Sequence, residues 1–156
     1  MKYVSMLAVL LIAFLALPLV AQEKKPADDM DTARQELRAE RKDLVSKNME
    51  LTESEAKAFW PVYEEYQTEM DVIGDRMVKL VENYGKTHKV MTDDTAAKLI
   101  KELLSIQSDR VKLQEKYLPK FQEALSMTKV ARLYQIDNKF RAAVECDVTS
   151  KIPLVE

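Results

Sequence analysis

Two prolines interrupt the apolar seams that otherwise define this chain. Phe59, Tyr63, Tyr66, Met70, Ile73, Met77, Leu80 and Tyr84 follow one another in alternating steps of four and three residues. Such spacing keeps a stripe on one side of an α-helix, and long helices pack along seams of this kind. Pro61 falls inside that stripe. A second stripe, Ala96, Leu99, Leu103, Ile106, Arg110, Leu113 and Tyr117, is polar only at Arg110 and continues through Phe121 to Leu125 across Pro119. Proline inside a helix removes a backbone hydrogen bond and clashes with the carbonyl four residues back, at about 3 kcal/mol or more. Each site therefore either bends a helix or starts one.

The rest of the composition points the same way. Gly74 and Gly85 are the only glycines among 156 residues, which excludes a glycine-rich phosphate loop and a turn-rich β protein. Abundant Leu, Lys, Glu, Ala and Met then predict an all-α fold.

Four helices are expected. The first covers 30–49, with Met30, Leu37, Leu44 and Leu51 repeating every seven residues and Ala33 and Val45 widening the stripe. Its other positions are charged, so it should lie on a surface. Thr52 with Glu55 three residues on is a capping box: the hydroxyl accepts from the Glu55 amide, and the carboxylate accepts from the Thr52 amide. The second helix therefore begins near Glu53, and Gly85 is its natural C′ residue. At a rise of 1.5 Å per residue it would be roughly 45–50 Å long. Residues 86–92 connect it to a third helix capped by Thr92 or Asp93. Ser126 or Thr128 opens a fourth, with Val130, Leu133, Tyr134, Asp137, Phe140 and Val144 on its face and an end near Cys146.

The short connection makes helices two and three an antiparallel hairpin. Pro61 and Pro119 each lie 29 residues from residue 90, near the middle of its turn. Equal rise per residue sets them at one level, where they would bend the hairpin together. The alternative is that Pro61 starts the main helix. The windows FWPVYEEY and YLPKFQEA around the two sites also share a pattern, a weak sign of an internal repeat. A long hairpin with two shorter flanking helices has little interior, so part of the apolar surface of Met70, Met77, Met91, Met127, Trp60 and the tyrosines should face another chain.

Residues 1–21 read as a secretory signal peptide: Lys2, an apolar run from Val4 to Leu17 broken only by Ser5, then Pro18-Leu19-Val20-Ala21 before Gln22. Leu19 is large for its place before the cut, and an uncleaved anchor is the alternative. No cysteine follows the cut, which argues against a lipoprotein. Residues 22–29 then form a flexible arm, 30–146 the helical domain and 147–156 an irregular tail. Export implies a periplasmic or extracellular home.

Little chemistry is visible. Cys146 is alone and cannot form an internal disulfide; it is an idle thiol or an intermolecular link. His88 stands alone in a connection, and Asp71 with Asp75 is an isolated acidic pair, so no metal site is expected. No nucleophile and base suggest a pocket, and no enzyme or cofactor is expected. Net charge is −2 with both signs interspersed; without a basic stripe, nucleic acid is not an expected partner.

Leu51-Thr52-Glu53-Ser54-Glu55 and Leu125-Ser126-Met127-Thr128-Lys129 each stand just before a predicted helix. In these windows, and over roughly residues 30–146, the chain resembles the Spy/CpxP family of periplasmic helical proteins. That family is marked by a twice-occurring L-T-x-x-Q motif. Here Glu55 replaces the first Gln, while Ser126 and Lys129 replace the second Thr and Gln. The resemblance implies a bent helical hairpin that pairs into a cradle-like antiparallel homodimer. It implies an ATP-independent chaperone holding unfolded or partly folded envelope proteins on its concave surface. The alternatives it implies are a regulator of an envelope-stress sensor protein and, less favoured, a metal sensor. Candidate client-binding residues are Trp60, Tyr63, Met70, Met77, Arg110 and Lys112. Leu51, Thr52, Glu55, Leu125 and Ser126 are read as capping and packing residues.

Overall fold

A computed structural model describes residues 26–155. The described chain is all-α. Helix α1 spans Pro26–Met49, α2 Glu53–Thr87, α3 Asp93–Ala124 and α4 Met127–Thr149. A 3-10 turn, His88–Val90, joins α2 to α3. The expected signal peptide, 1–21, lies outside the described residues.

Three of the four helix starts are fixed by side-chain caps. Thr52 and Glu55 form the reciprocal capping box of α2. Thr92 accepts from the Thr95 amide at the head of α3, and Ser126 accepts from the Lys129 amide at the head of α4. Each cap satisfies an amide that the first helical turn would otherwise leave without a partner.

Three expected boundaries are corrected. The arm predicted over 22–29 is helical over its described part, from Pro26 on. Gly85 is not a C′ residue: no glycine has positive φ, and α2 runs two residues further. The Thr87 hydroxyl donates to the Asn83 carbonyl at 2.8 Å and the His88 amide to that of Tyr84, so the helix end needs no left-handed residue. The tail predicted over 147–156 is helical through Thr149, whose hydroxyl donates to the Glu145 carbonyl at 2.7 Å. Beyond it, the Tyr84 hydroxyl donates to the Pro153 carbonyl at 2.7 Å and ties the tail to α2.

Helices α2 and α3 run antiparallel. The ion pairs Glu65–Lys120 at 2.8 Å, Glu69–Lys116 at 2.7 Å and Arg76–Asp109 at 2.7 Å climb one side of the seam in order. Inside it, Tyr66 packs on Tyr117 and Phe121 with ring centroids 5.4 and 5.5 Å apart. Both prolines lie within unbroken helices, which overturns the alternative that Pro61 starts one. Phe59 and Phe121, each two residues from its proline, have centroids 5.9 Å apart. The prolines thus share one level, and both are exposed.

The core gathers where all four helices meet. Phe59, Tyr63 and Tyr66 from α2 and Tyr117 and Phe121 from α3 are buried, as are Val130 and Leu133 from α4 and Val45 and Met49 from α1. The inward stripe of α1 differs from the leucine repeat expected for it. Arg34, Arg38, Arg41, Val45 and Met49 turn toward the other helices, while Leu37 and Leu44 are only half-buried.

Candidate functional site

The two motif windows meet in space. Glu55 Oε2 accepts from the Thr52 amide at 2.8 Å and from Lys129 Nζ at 2.6 Å. Lys129 Nζ also donates to the Glu50 carbonyl at 3.0 Å. Glu55 and Lys129, each four residues past the leucine of its window, therefore form an ion pair with each other. Lys129 and then the Thr52 amide hold the Glu55 carboxyl down to about 2. Glu50 has φ 49, left-handed backbone in a residue other than glycine. The head of α4 thus clamps a strained corner between α1 and α2. Leu125 is buried and Leu51 packs against the core. These residues join helices: Leu51 and Leu125 pack inward, while the exposed Thr52 and Ser126 cap.

The candidate client-binding residues do not share one surface. Tyr63 is 2% exposed and belongs to the core, so its place among them is corrected. Heptad spacing put it on the hairpin seam, and α1 and α4 cover what the hairpin alone leaves open. Burial, then Asp137, raises its hydroxyl pKa, while Arg41 opposes the rise. Trp60 is half-buried, with its ring 5.1 Å from Phe59 and Lys42 Nζ 5.3 Å from its centroid. Met70 and Met77 pack half-buried against the core. Arg110 turns to α4 and donates to Glu145 at 3.1 Å. Lys112 is exposed and pairs with Asp109 at 3.3 Å, at the edge of a groove between α2 and α3.

That groove is shallow, with a volume of about 330 Å³ over Val72, Ile73 and Leu113. The pairs Glu69–Lys116 and Asp109–Lys112 rim it. A second groove of about 470 Å³ lies nearer the hairpin tip and is lined by Arg76, Lys79, Lys86, Lys98 and Leu99 among others. Arg76 is committed there to Glu102 at 2.9 Å and to Asp109.

A row of exposed apolar side chains lies elsewhere on α3. Ile100 is 58% exposed, Leu104 58% and Val111 52%. At 100° per residue they fall on one side of the helix. Reading the sequence for seams passed over them, because the stronger Leu99–Ile106–Leu113 stripe claims the helix. Their signal is the seven-residue repeat of Leu104, Val111 and Leu118 beside it.

The chemistry-bearing side chains are dispersed. His88 stacks on Tyr84 with centroids 5.8 Å apart and contacts the Gly85 carbonyl through Nδ1. Asp71 and Asp75 face Arg38 and Arg34, and Cys146 is exposed and free. Among the described residues no group of three or more His, Cys, Asp or Glu is placed to hold a metal ion. No described helix is long and apolar enough to cross a membrane. Comparison of the chain with protein-family models, with curated proteins and with solved structures gave no match.

Proposed function

We propose that this chain is an ATP-independent periplasmic chaperone of the Spy/CpxP kind, exported by the signal peptide read over 1–21. Its hairpin holds unfolded or partly folded envelope proteins. The observation that carries the reading is the row Ile100, Leu104 and Val111, more than half exposed on a helix otherwise rich in Lys, Glu and Gln. Exposed aliphatic side chains among long charged ones suit weak, adaptable contact with many apolar segments. Lysine stems add apolar area, and their heads keep the surface soluble. Trp60, Met70, Met77 and Lys112 border the hairpin's accessible sides and join this proposal as secondary contacts. A cradle-like homodimer and a hairpin bent at Pro61 and Pro119 belong to the same reading.

The test is light scattering of two unrelated aggregating proteins with an equimolar amount of the chain lacking residues 1–21, without ATP. Suppression of both is expected. The triple variant Ile100→Ser, Leu104→Ser, Val111→Ser should lose at least half of it while retaining wild-type circular dichroism. Suppression of neither protein sinks the chaperone. Full suppression by the triple variant removes the surface from the reading.

A further inference from the structure

Helix α1 is docked by two unlike halves. Its C-terminal part is anchored by apolar burial: Val45 and Met49 are both fully buried. The preceding turns reach α2 through polar side chains. Arg34 donates to Asp75 at 2.6 Å, Arg38 meets Thr68 at 3.1 Å and pairs with Asp71, Arg41 donates to Gln67, and Lys42 pairs with Glu64 at 2.7 Å. The facing stripes are complementary: Arg34, Arg38, Arg41 and Lys42 against Asp75, Asp71, Gln67 and Glu64.

This seam is poorly satisfied where it is driest. Arg41 Nε and Gln67 Nε2 are buried without hydrogen-bond partners, and Asp71 Oδ2 has the charge of Arg38 beside it but no aligned hydrogen bond. Gln67 is 6% exposed. Buried polar groups left unpaired cost free energy that hydration returns. The outer pairs are different: Arg34, Lys42, Glu64 and Asp75 have side chains 37–61% exposed. Exposed pairs contribute little and are weakened by salt. Opening the seam hydrates the unpaired inner atoms; against that it gives up the Arg38–Asp71 and Arg41–Gln67 contacts, the stacking of Arg41 on Phe140 of α4 and the weak outer pairs, while the apolar anchor stays in place.

We propose that residues 26–42 of α1 are a salt-releasable strap. It lifts from the acidic stripe of α2 as a unit and pivots on Val45 and Met49. Arginine stems shield the stripe when the strap is down; lifting exposes Asp71, Asp75 and Gln67 on α2 and the three arginines on α1. The inference does not depend on the chaperone reading.

Hydrogen exchange of the intact chain at 25 mM and 500 mM NaCl tests it. Amides of 34–42 should exchange at least tenfold faster at the higher salt, while those of 45–49 and 59–70 hold their rates. The double variant Arg41→Met, Gln67→Met removes both members of the inner polar pair and should cut the salt response of 34–42 at least threefold. Circular dichroism checks its fold, and the wild-type salt response stands as a test without it. Equal rates at both salts overturn the strap. So does a rise shared by 45–49, which would mean that α1 leaves whole.

Discussion

Glu55 and Lys129 hold the same place in their two windows, four residues past Leu51 and Leu125. Sequence alone does not pair them. In space one answers the other, at 2.6 Å. This leads to a prediction about pH. The folded carboxyl of Glu55 is held near 2, below its ordinary 4.5. A group whose folded pKa is depressed contributes stability above the unfolded value and loses it as pH falls through the folded one. The contribution is thus whole at pH 7 and fades between about pH 4.5 and 2. Glu64, Glu65, Glu69 and Asp109 are lowered in the same direction, first by Lys42, Lys120, Lys116 and Arg76 respectively, so the whole chain should weaken in acid. Urea unfolding of wild type and Glu55→Gln separates the local share. The variant should unfold at lower urea at pH 7 and at nearly the wild-type midpoint at pH 2. A gap of unchanged size at both pH values would assign its effect to packing instead of charge.

At the scale of the element, the caps and seams were legible and α1 was not. Thr52, Thr92 and Ser126 each cap as their sequence neighbourhoods suggest, because a hydroxyl three residues before a helical amide has one strong local use. The seams of α2 and α3 were legible for a similar reason: aromatic and aliphatic residues at four-three spacing have few other ways to leave water. Helix α1 carries Met30, Leu37 and Leu44, which looked like its inner face. A count of apolar residues gives no weight to arginine, whose stem can cover apolar surface while its head finds a carboxylate. Arg41 stands 4.7 Å over the Phe140 ring as it reaches Gln67. The candidate contact surface was legible only in part, since heptad position marks what can be buried by a partner helix and not which partner buries it. Tyr63 is the case in point.

The two prolines allow an element-scale prediction. Both are exposed, so replacement by alanine removes no core packing. Relief of the interior-proline penalty of about 3 kcal/mol exceeds the roughly 0.4–1 kcal/mol lost by loosening the unfolded chain. Pro61→Ala and Pro119→Ala should each raise stability by about 2 kcal/mol in chemical unfolding. The proposed bend adds a second readout: the double variant should have a larger radius of gyration by X-ray scattering and suppress aggregation less. A destabilised single variant would show that its helix is already relaxed around the proline, and an unchanged radius would remove the bend from the functional reading.

Over the whole molecule, burial is concentrated at one end of the hairpin. Tyr63, Tyr66, Tyr117 and Phe121 are sealed by α1 and α4, whereas no residue from 74 to 105 is fully buried. That distal part is closed by half-buried Met77, Leu80, Leu99 and Leu103, with the Arg76 fork to Glu102 and Asp109 across it. Regions with few buried contacts open locally at lower free energy than the core. The exposed row on α3 spans this gradient, with Ile100 and Leu104 in the loosely held part and Val111 nearer the core. The proposed chaperone role would benefit from that placement, because α3 could adjust to dissimilar apolar segments while the four-helix junction keeps the fold. Limited trypsin digestion at low salt reads the gradient directly. Within residues 50–125 the first cuts should fall at Lys86, Lys89 and Lys98, around the connection, with Lys116 and Lys120 cut at least tenfold more slowly despite their exposed side chains. Their backbone belongs to the helix that carries Tyr117 and Phe121, and cleavage there requires the junction itself to open. Early cutting at Lys116 or Lys120 would show that the hairpin opens from its base, and the tip would no longer be the adaptable end.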